Sequence, residues 1–113
     1  MSENVIDQVT FDDLKKLVGF DFIGELVETF FEEAPALLAE MSQALNHGDA
    51  DSFRRAAHSM KSNSATFGAV RLASLSRDLE FMGRDGQLDQ AAELFPEAQS
   101  AYEEAAAALK VLL

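Results

Sequence analysis

The chain has 113 residues, of which 48% are hydrophobic and 26% charged, a composition typical of one small folded domain. Its formal charge of −11 disfavours binding of the whole domain to nucleic acid or to an anionic membrane, and the lack of cysteine excludes disulfides and thiolate chemistry. Because glycine and proline are scarce and no signal-peptide or membrane-length apolar run is found, residues 1–113 are expected to form one all-α, cytoplasmic domain.

The first helix is predicted to be short. Thr10 is its expected N-cap, Gly19 its end, and residues 1–10 before it are expected to be frayed. Apolar residues recur at helical spacing in this segment: Phe11, Leu14, Leu17 and Val18.

The second helix is predicted over residues 21–46, with Gly48 supplying a left-handed C-terminal cap and His47 a cation that the helix dipole favours. Pro35 removes a backbone donor, and we expect a kink there rather than a break because the apolar stripe keeps its phase. The stripe consists of Phe22, Ile23, Leu26, Val27, Phe30, Phe31, Leu37, Leu38, Met41 and Leu45. The opposite acidic side is interpreted as a solvated face rather than a cation site: Glu25, Glu28, Glu32 and Glu33.

The third helix is predicted to begin after Asp49 or Asp51, either of which can cap it, and to end at about Phe67. Gly68 then stops the helix. The residues expected to be buried are Phe53, Ala56, Ala57, Met60, Ser64 and Phe67.

Two more helices complete the chain. The fourth is predicted over residues 69–82, followed by a turn at residues 83–86, and the fifth starts near Asp89 or nearer to Pro96. Four long amphipathic helices joined by short turns predict an antiparallel up-down four-helix bundle, with the short N-terminal helix as a cap.

The charge is unevenly distributed. Residues 52–77 contain five bases and no acid, so this segment carries +5 while the rest of the chain carries −16. From charge alone, the segment is either a chance cluster on solvated helix faces or a patch that meets an acidic partner. The bases are Arg54, Arg55, Lys61, Arg71 and Arg77.

His58 lies in the middle of this basic segment. At 100° per residue it falls roughly opposite the buried stripe, so its imidazole is expected in solvent with Lys61 and Ser62 one turn further on. A free ring nitrogen, a neighbouring cation and small side chains at Ser62 and Ala65 are what nucleophilic phosphoryl transfer from an external donor needs.

The segment HSMKSNSATFGA (residues 58–69) resembles the signature of histidine-containing phosphotransfer (HPt) domains. That signature is His-x-x-Lys-Gly, a second glycine six residues after the first, then alanine and a leucine-rich helix. The Leu79-Glu80 and Gly83-Arg84 pairs, and the proline-containing stretch of residues 30–38, also resemble the family. The similarity extends from about Phe11 to Leu109.

The resemblance implies a four-helix bundle that relays phosphate between the aspartates of receiver domains. His58 would be the phosphoacceptor through Nε2, Lys61 would steady the phosphoryl group and Gly68 would shape the end of the active helix. The partners would be response-regulator receiver domains or a hybrid sensor histidine kinase, and the receiver would hold the Mg²⁺. Ser62 departs from the usual glycine, and its hydroxyl is expected either to bond the carbonyl of His58 or to lean toward the imidazole.

Six other residues surround the predicted site. Arg54 and Arg55, one turn before His58, are expected to face the acidic mouth of a receiver, next to Ser62 and Ala65. Asn63 and Ser64 lie at the margin of the buried stripe. They either orient the helix through cross-helix hydrogen bonds or are boundary residues.

Two other function classes remain open at this point. The domain could be a non-catalytic adaptor that docks an acidic partner through the same basic face, or a carboxylate-bridged metal bundle, which lacks the expected Glu-x-x-His. No nucleotide-binding loop is present, so no autonomous kinase activity is expected. The domain is expected to be a monomer, and the sequence leaves open whether it is free-standing or a module of a larger kinase.

Overall fold

The computed structural model describes residues 5–113, and these residues form five helices and no strand. No helix in this part of the chain is long and apolar enough to cross a membrane. The helices are α1 Gln8–Val18, α2 Phe20–His47, α3 Ala50–Thr66, α4 Val70–Arg84 and α5 Leu88–Leu112.

The first helix begins earlier than predicted because Asp7, not Thr10, is its N-cap. The Asp7 carboxylate accepts hydrogen bonds from the backbone nitrogen of Thr10, at 3.3 Å, and from the Thr10 hydroxyl. Ile6 is buried, and the Asp7 backbone nitrogen donates to the Gly68 carbonyl at 2.8 Å. The expectation of fraying is therefore wrong for residues 6–10, while residues 1–4 lie outside the described part of the chain.

Neither proline interrupts its helix. Pro35 lies inside α2 and Pro96 inside α5, and both helices continue through them. The fifth helix starts at Leu88, so Asp89 lies in its first turn and is not the cap. The C-terminal end of α2 is as predicted, because Gly48 adopts a left-handed conformation with φ 66°.

The connection from α3 to α4 is made by Gly68, whose φ of 78° favours glycine over any residue with a side chain. A Cβ at this position would also lie 2.9 Å from the carbonyl oxygen of Asp7. At the N-terminal end of α3, Asp49 is the cap and accepts from the backbone nitrogen of Ser52 at 3.1 Å. The start of α3 is therefore fixed by a side-chain cap, and the loop after α3 is fixed by its close approach to the backbone of Asp7.

The fourth helix extends through Gly83 and Arg84, which were predicted to lie in a turn. Gly83 is buried against α3, where a Cβ would lie 3.1 Å from the backbone nitrogen and Cα of Arg54. Arg54 contacts Gly83, and Lys61, two turns further along α3, pairs with Glu80, which precedes Gly83 on α4. The two helices therefore run antiparallel.

One hydrophobic core lies between the helices. All six residues predicted to be buried in the third helix are buried, five of them in this core and the sixth, Ser64, as a buried polar residue. Phe30 of α2 stacks near Phe67 and Tyr102, with ring centroids 5.0 and 5.7 Å apart. Two predicted apolar positions are corrected, since Leu17 and Phe22 are 83% and 48% exposed. Both residues fit the helical repeat of apolar positions, but each lies at the edge of the buried stripe, where its side chain faces water.

Candidate functional site

His58 lies in the middle of α3 on the side away from the core. Its side chain is 57% exposed, while Ala57 and Met60, its neighbours in sequence, are fully buried. Because the ring is carried by an uninterrupted helix, its position is set by the packing of α3 rather than by a loop.

The imidazole is exposed, as predicted from the sequence, but one of its two nitrogens has a partner that was not predicted. Its Nδ1 lies 2.8 Å from Oε2 of Glu80, a carboxylate on α4 that is only 14% exposed. The second carboxylate oxygen, Oε1, lies 2.8 Å from the Nζ of Lys61. Among residues 5–113, Nε2 of His58 has no hydrogen-bond partner. One carboxylate therefore joins the histidine and the lysine, and the other ring nitrogen is left open.

Glu80 carries a negative charge at neutral pH. Partial burial acts to raise its pKa, but the contacts with Lys61 and His58 outweigh burial, so the pKa of Glu80 lies below its ordinary value. An ionised carboxylate can only accept hydrogen bonds, so in the contact between Glu80 and His58 the ring nitrogen is the donor, while the contact with Lys61 is an ion pair.

Glu80 was not predicted to belong to the site, although it lies in a segment that resembles the family. The signal that identifies it is the register of α3 against α4. Arg54 contacts Gly83, so moving one turn forward on α3 and one turn back on α4 brings His58 to Glu80. Helical periodicity shows which face of a helix a residue occupies, but it does not give the register between two helices.

The basic segment is largely neutralised in the folded chain. Arg54 and Arg55 both pair with Asp51, at 2.9 and 3.2 Å, and these contacts hold the pKa of Asp51 below its usual value. The net +5 of this segment is therefore not an open cationic patch, because acids from outside it supply the counter-charges. The other pairs are Lys61 with Glu80, Arg71 with Glu97 and Glu104, and Arg77 with Asp78.

An open groove of about 450 Å³ runs beside His58 between α3 and α2. Ser62 is exposed and lines this groove one turn after His58, and Leu37 lines the α2 side. Among the described residues, the Ser62 hydroxyl makes neither of the two expected bonds, to the His58 carbonyl or to the ring. Ala65, a further turn along, is also exposed. On α3, the exposed positions one and two turns after the imidazole therefore carry small side chains.

Asn63 and Ser64 behave differently from each other. Asn63 donates from Nδ2 to Oε2 of Glu33 at 3.4 Å, a hydrogen bond from α3 to α2. Ser64 is completely buried, and its hydroxyl donates to the Met60 carbonyl at 2.6 Å inside the same helix. The expectation of a cross-helix bond is therefore wrong for Ser64, and neither residue touches the ring.

The acidic face of α2 is exposed, and it does not gather into a site. Within residues 5–113, no group of three or more histidine or acidic side chains is arranged to hold a metal ion. His47, the other histidine, lies exposed at the C-terminal end of α2 near the cap residue Asp49.

Comparison with known proteins agrees with this geometry. The family model for the Hpt domain matches residues 25–108. The crystal structure of histidine-containing phosphotransfer protein B (HptB) from Pseudomonas aeruginosa PAO1 superposes with a TM-score of 0.91 at 30% identity, over 96% of this chain and 94% of that chain. A comparison with curated protein sequences found no match. Because the family model covers most of its residues, this chain belongs to the Hpt domain family of phosphorelay proteins.

Proposed function

We propose that His58 is the phosphoacceptor of this chain and relays a phosphoryl group between receiver-domain aspartates. The observation that carries the proposal is the arrangement of the ring: Nδ1 is engaged by Glu80, whereas Nε2 has no partner among residues 5–113. The ring is also 57% exposed beside small side chains, so another protein can reach it. These are the requirements for a nucleophile that depends on an external donor.

The transfer follows from these positions. Nε2 of His58 attacks the phosphorus of an aspartyl phosphate, the N–P bond forms as the P–O bond breaks, and the aspartate leaves as a carboxylate on the receiver. Lys61, one turn along α3, pairs with Glu80 at 2.8 Å before transfer and would turn toward the phosphoryl oxygens, where its ammonium offsets their charge. The receiver would supply the Mg²⁺ that such aspartates hold, and this chain would supply the nucleophile and the docking surface.

The architecture suits this role. We infer that α2 to α5 form an up-down four-helix bundle on which α1 is a cap, so that α3 presents His58 on one long side. The domain would act as a monomer, which leaves that side accessible to a receiver domain or to a hybrid sensor kinase that carries one. A purely adaptor function through the basic face is less well supported, because Arg54 and Arg55 are already paired with Asp51.

The experiment is transfer from a phosphorylated receiver domain to the purified chain, with detection of an acid-labile, base-stable label. Wild type should take the label and His58→Gln should not, although its fold is retained because the side chain is exposed. His47→Gln is the matched control, since it removes the other exposed histidine and should accept label normally. Labelling of His58→Gln, or no labelling of wild type by any receiver of the same organism, would overturn the proposal.

A further inference from the structure

We propose that the Ser62 hydroxyl donates a hydrogen bond to the phosphoryl group on Nε2 of His58 and so slows the loss of that group to water. The inference rests on the proposed function and adds a second donor to the site, beside Lys61. Ser62 stands where the Hpt signature has glycine, a residue with no side chain that could donate.

The hydroxyl of Ser62 is uncommitted in the folded chain. Serine and threonine inside a helix often donate to the carbonyl four residues earlier. Thr29, Ser64 and Thr66 do so here, with donor–acceptor distances of 2.6 to 3.0 Å. The Ser62 hydroxyl makes no such bond to the His58 carbonyl, and it has no other partner within residues 5–113. It is therefore free to serve an acceptor that arrives from outside.

Ser62 and Lys61 lie on opposite sides of His58 along the surface of α3. At 3.6 residues per turn, Lys61 is turned about 60° to one side of His58 and Ser62 about 40° to the other. The contacts agree with this, because Lys61 pairs with Glu80 of α4, whereas Ser62 and His58 line the groove that faces α2. A phosphoryl group on the ring would then have a cation on its α4 side and a neutral donor on its α2 side.

This donor acts on the phosphorylated state more than on its breakdown. A phosphoryl group offers three acceptor oxygens and about two negative charges, so a hydroxyl beside it forms a charge-assisted hydrogen bond. In hydrolysis, water attacks phosphorus, the electron pair of the N–P bond returns to Nε2, and phosphate leaves with both protons of the water. The transition state is loose and resembles metaphosphate, whose oxygens carry less charge than those of the bound group. A donor to these oxygens therefore stabilises phosphohistidine more than the transition state.

The direct test is the lifetime of the label on the full chain after phosphorylation by phosphoramidate, a small phosphodonor that needs no receiver. Once the donor is removed, Ser62→Ala should lose the label from His58 about three- to tenfold faster than wild type, the effect of one exposed charge-assisted hydrogen bond. Ser62→Gly should also lose it faster, although a receiver can still approach.

The matched control is Ser59→Ala. Ser59 is exposed and lines the same groove, but a residue directly next to His58 on a helix does not face it. The label on this variant should last as long as on wild type. Circular dichroism and the thermal midpoint show that each variant is folded.

The second readout is the equilibrium constant for sharing phosphate between a receiver and this chain, which does not depend on how fast the two proteins dock. Ser62→Ala should shift it toward the receiver by about three- to tenfold, and Ser59→Ala should leave it unchanged. The ³¹P chemical shift of the phosphohistidine should change in Ser62→Ala and not in Ser59→Ala.

Equal label lifetimes in wild type and folded Ser62→Ala would overturn the inference. Equal acceleration by Ser62→Ala and Ser59→Ala would also overturn it, because the effect would then not belong to one hydroxyl. A wild-type chain that is labelled at His58 by phosphoramidate, and outlasts Ser62→Ala, but takes no label from receivers would overturn only the relay function.

Discussion

The backbone of Arg54 lies directly against Gly83, so close that a Cβ on the glycine would be 3.1 Å from the nitrogen and Cα of the arginine. This is the point that sets the spacing of α3 and α4 at the end of the site. One turn further along, the same two helices bring His58 and Glu80 to 2.8 Å. A side chain introduced at position 83 would therefore push α3 and α4 apart and so change the distance between His58 and Glu80.

Replacing Gly83 with alanine should destabilise the fold. The methyl group overpacks against the backbone of Arg54, which has to shift by a few tenths of an ångström. Overpacking typically costs about 1–3 kcal/mol, and we expect this cost to outweigh the gain in helix propensity of about 1 kcal/mol. Gly24→Ala is the control, because a Cβ there meets nothing within 4 Å and only the gain remains. Chemical denaturation of the two variants should move the free energy of unfolding in opposite directions. A stabilised Gly83→Ala would show that α3 and α4 separate without cost.

Replacing Lys61 with alanine should slow receiver-dependent transfer while the fold is retained. The variant loses the cation beside the phosphoryl oxygens, an effect on the transition state of about 1–3 kcal/mol, or about 5–150-fold in rate. Lys16→Ala removes an equal charge from the exposed side of α1 and should transfer at the wild-type rate. The two variants are compared by their single-turnover rates of phosphoryl transfer at a saturating concentration of the phosphorylated receiver. Equal rates for the two variants would mean that Lys61 only supports Glu80 in the resting protein.

Substitutions at Ser62 separate docking from chemistry. Ser62→Phe should fold with nearly wild-type stability but hold the receiver away from His58, and about 1 Å of displacement can cost roughly 100-fold in rate. Ser62→Gln should act in the same direction. Ser62→Gly should retain transfer and lose about 1 kcal/mol of stability, the cost of glycine inside a helix. The measurements are thermal midpoints and labelling rates.

The control for this series is Ser100→Phe, which adds the same bulk to an exposed position on α5. It should transfer at the wild-type rate. Normal transfer by Ser62→Phe would contradict close approach of the receiver over the groove beside His58.

Replacing Ser76 with alanine should stabilise the protein. Its hydroxyl is fully buried in α4 and has no hydrogen-bond partner among the described residues, an arrangement that costs about 1–3 kcal/mol. Ser64→Ala is the comparison, because that buried hydroxyl does have a partner, the Met60 carbonyl. Both changes gain the same helix propensity, so the difference between their free energies of unfolding reports the missing hydrogen bond. Equal changes would mean that the Ser76 hydroxyl is satisfied in solution.

Local patterns were sufficient to place His58 and Lys61. The helical repeat put both on the exposed side of α3, and the spacing of the histidine, the lysine and Gly68 carried the resemblance to the family. The left-handed conformation of Gly48 at the end of α2 was also predictable from the sequence, because it depends only on the local backbone. These features depend on residues within a few turns of one another.

The remaining features depend on how helices meet. Glu80 reaches His58 because of the register of α3 against α4, and Arg71 finds Glu97 and Glu104 on another helix. The start of α1 was missed for a different reason: Asp7 and Thr10 are both good N-caps, and the contact of Asp7 with Gly68 favours the earlier one. Leu17 and Phe22 fit a helical repeat although neither is covered by a neighbouring element.

Every side chain of the site is carried by a regular helix, with His58, Lys61 and Ser62 inside α3 and Glu80 inside α4. Helical backbone of this kind does not fold over a ligand, so the described part of the chain has no segment that would shield a phosphoryl group on His58, the group proposed above. Water then reaches the N–P bond as readily as a partner does. On the proposed function, the lifetime of phosphorylated His58 would therefore be set by hydrolysis of the N–P bond, and the waiting time between one receiver and the next would limit how far the signal is carried.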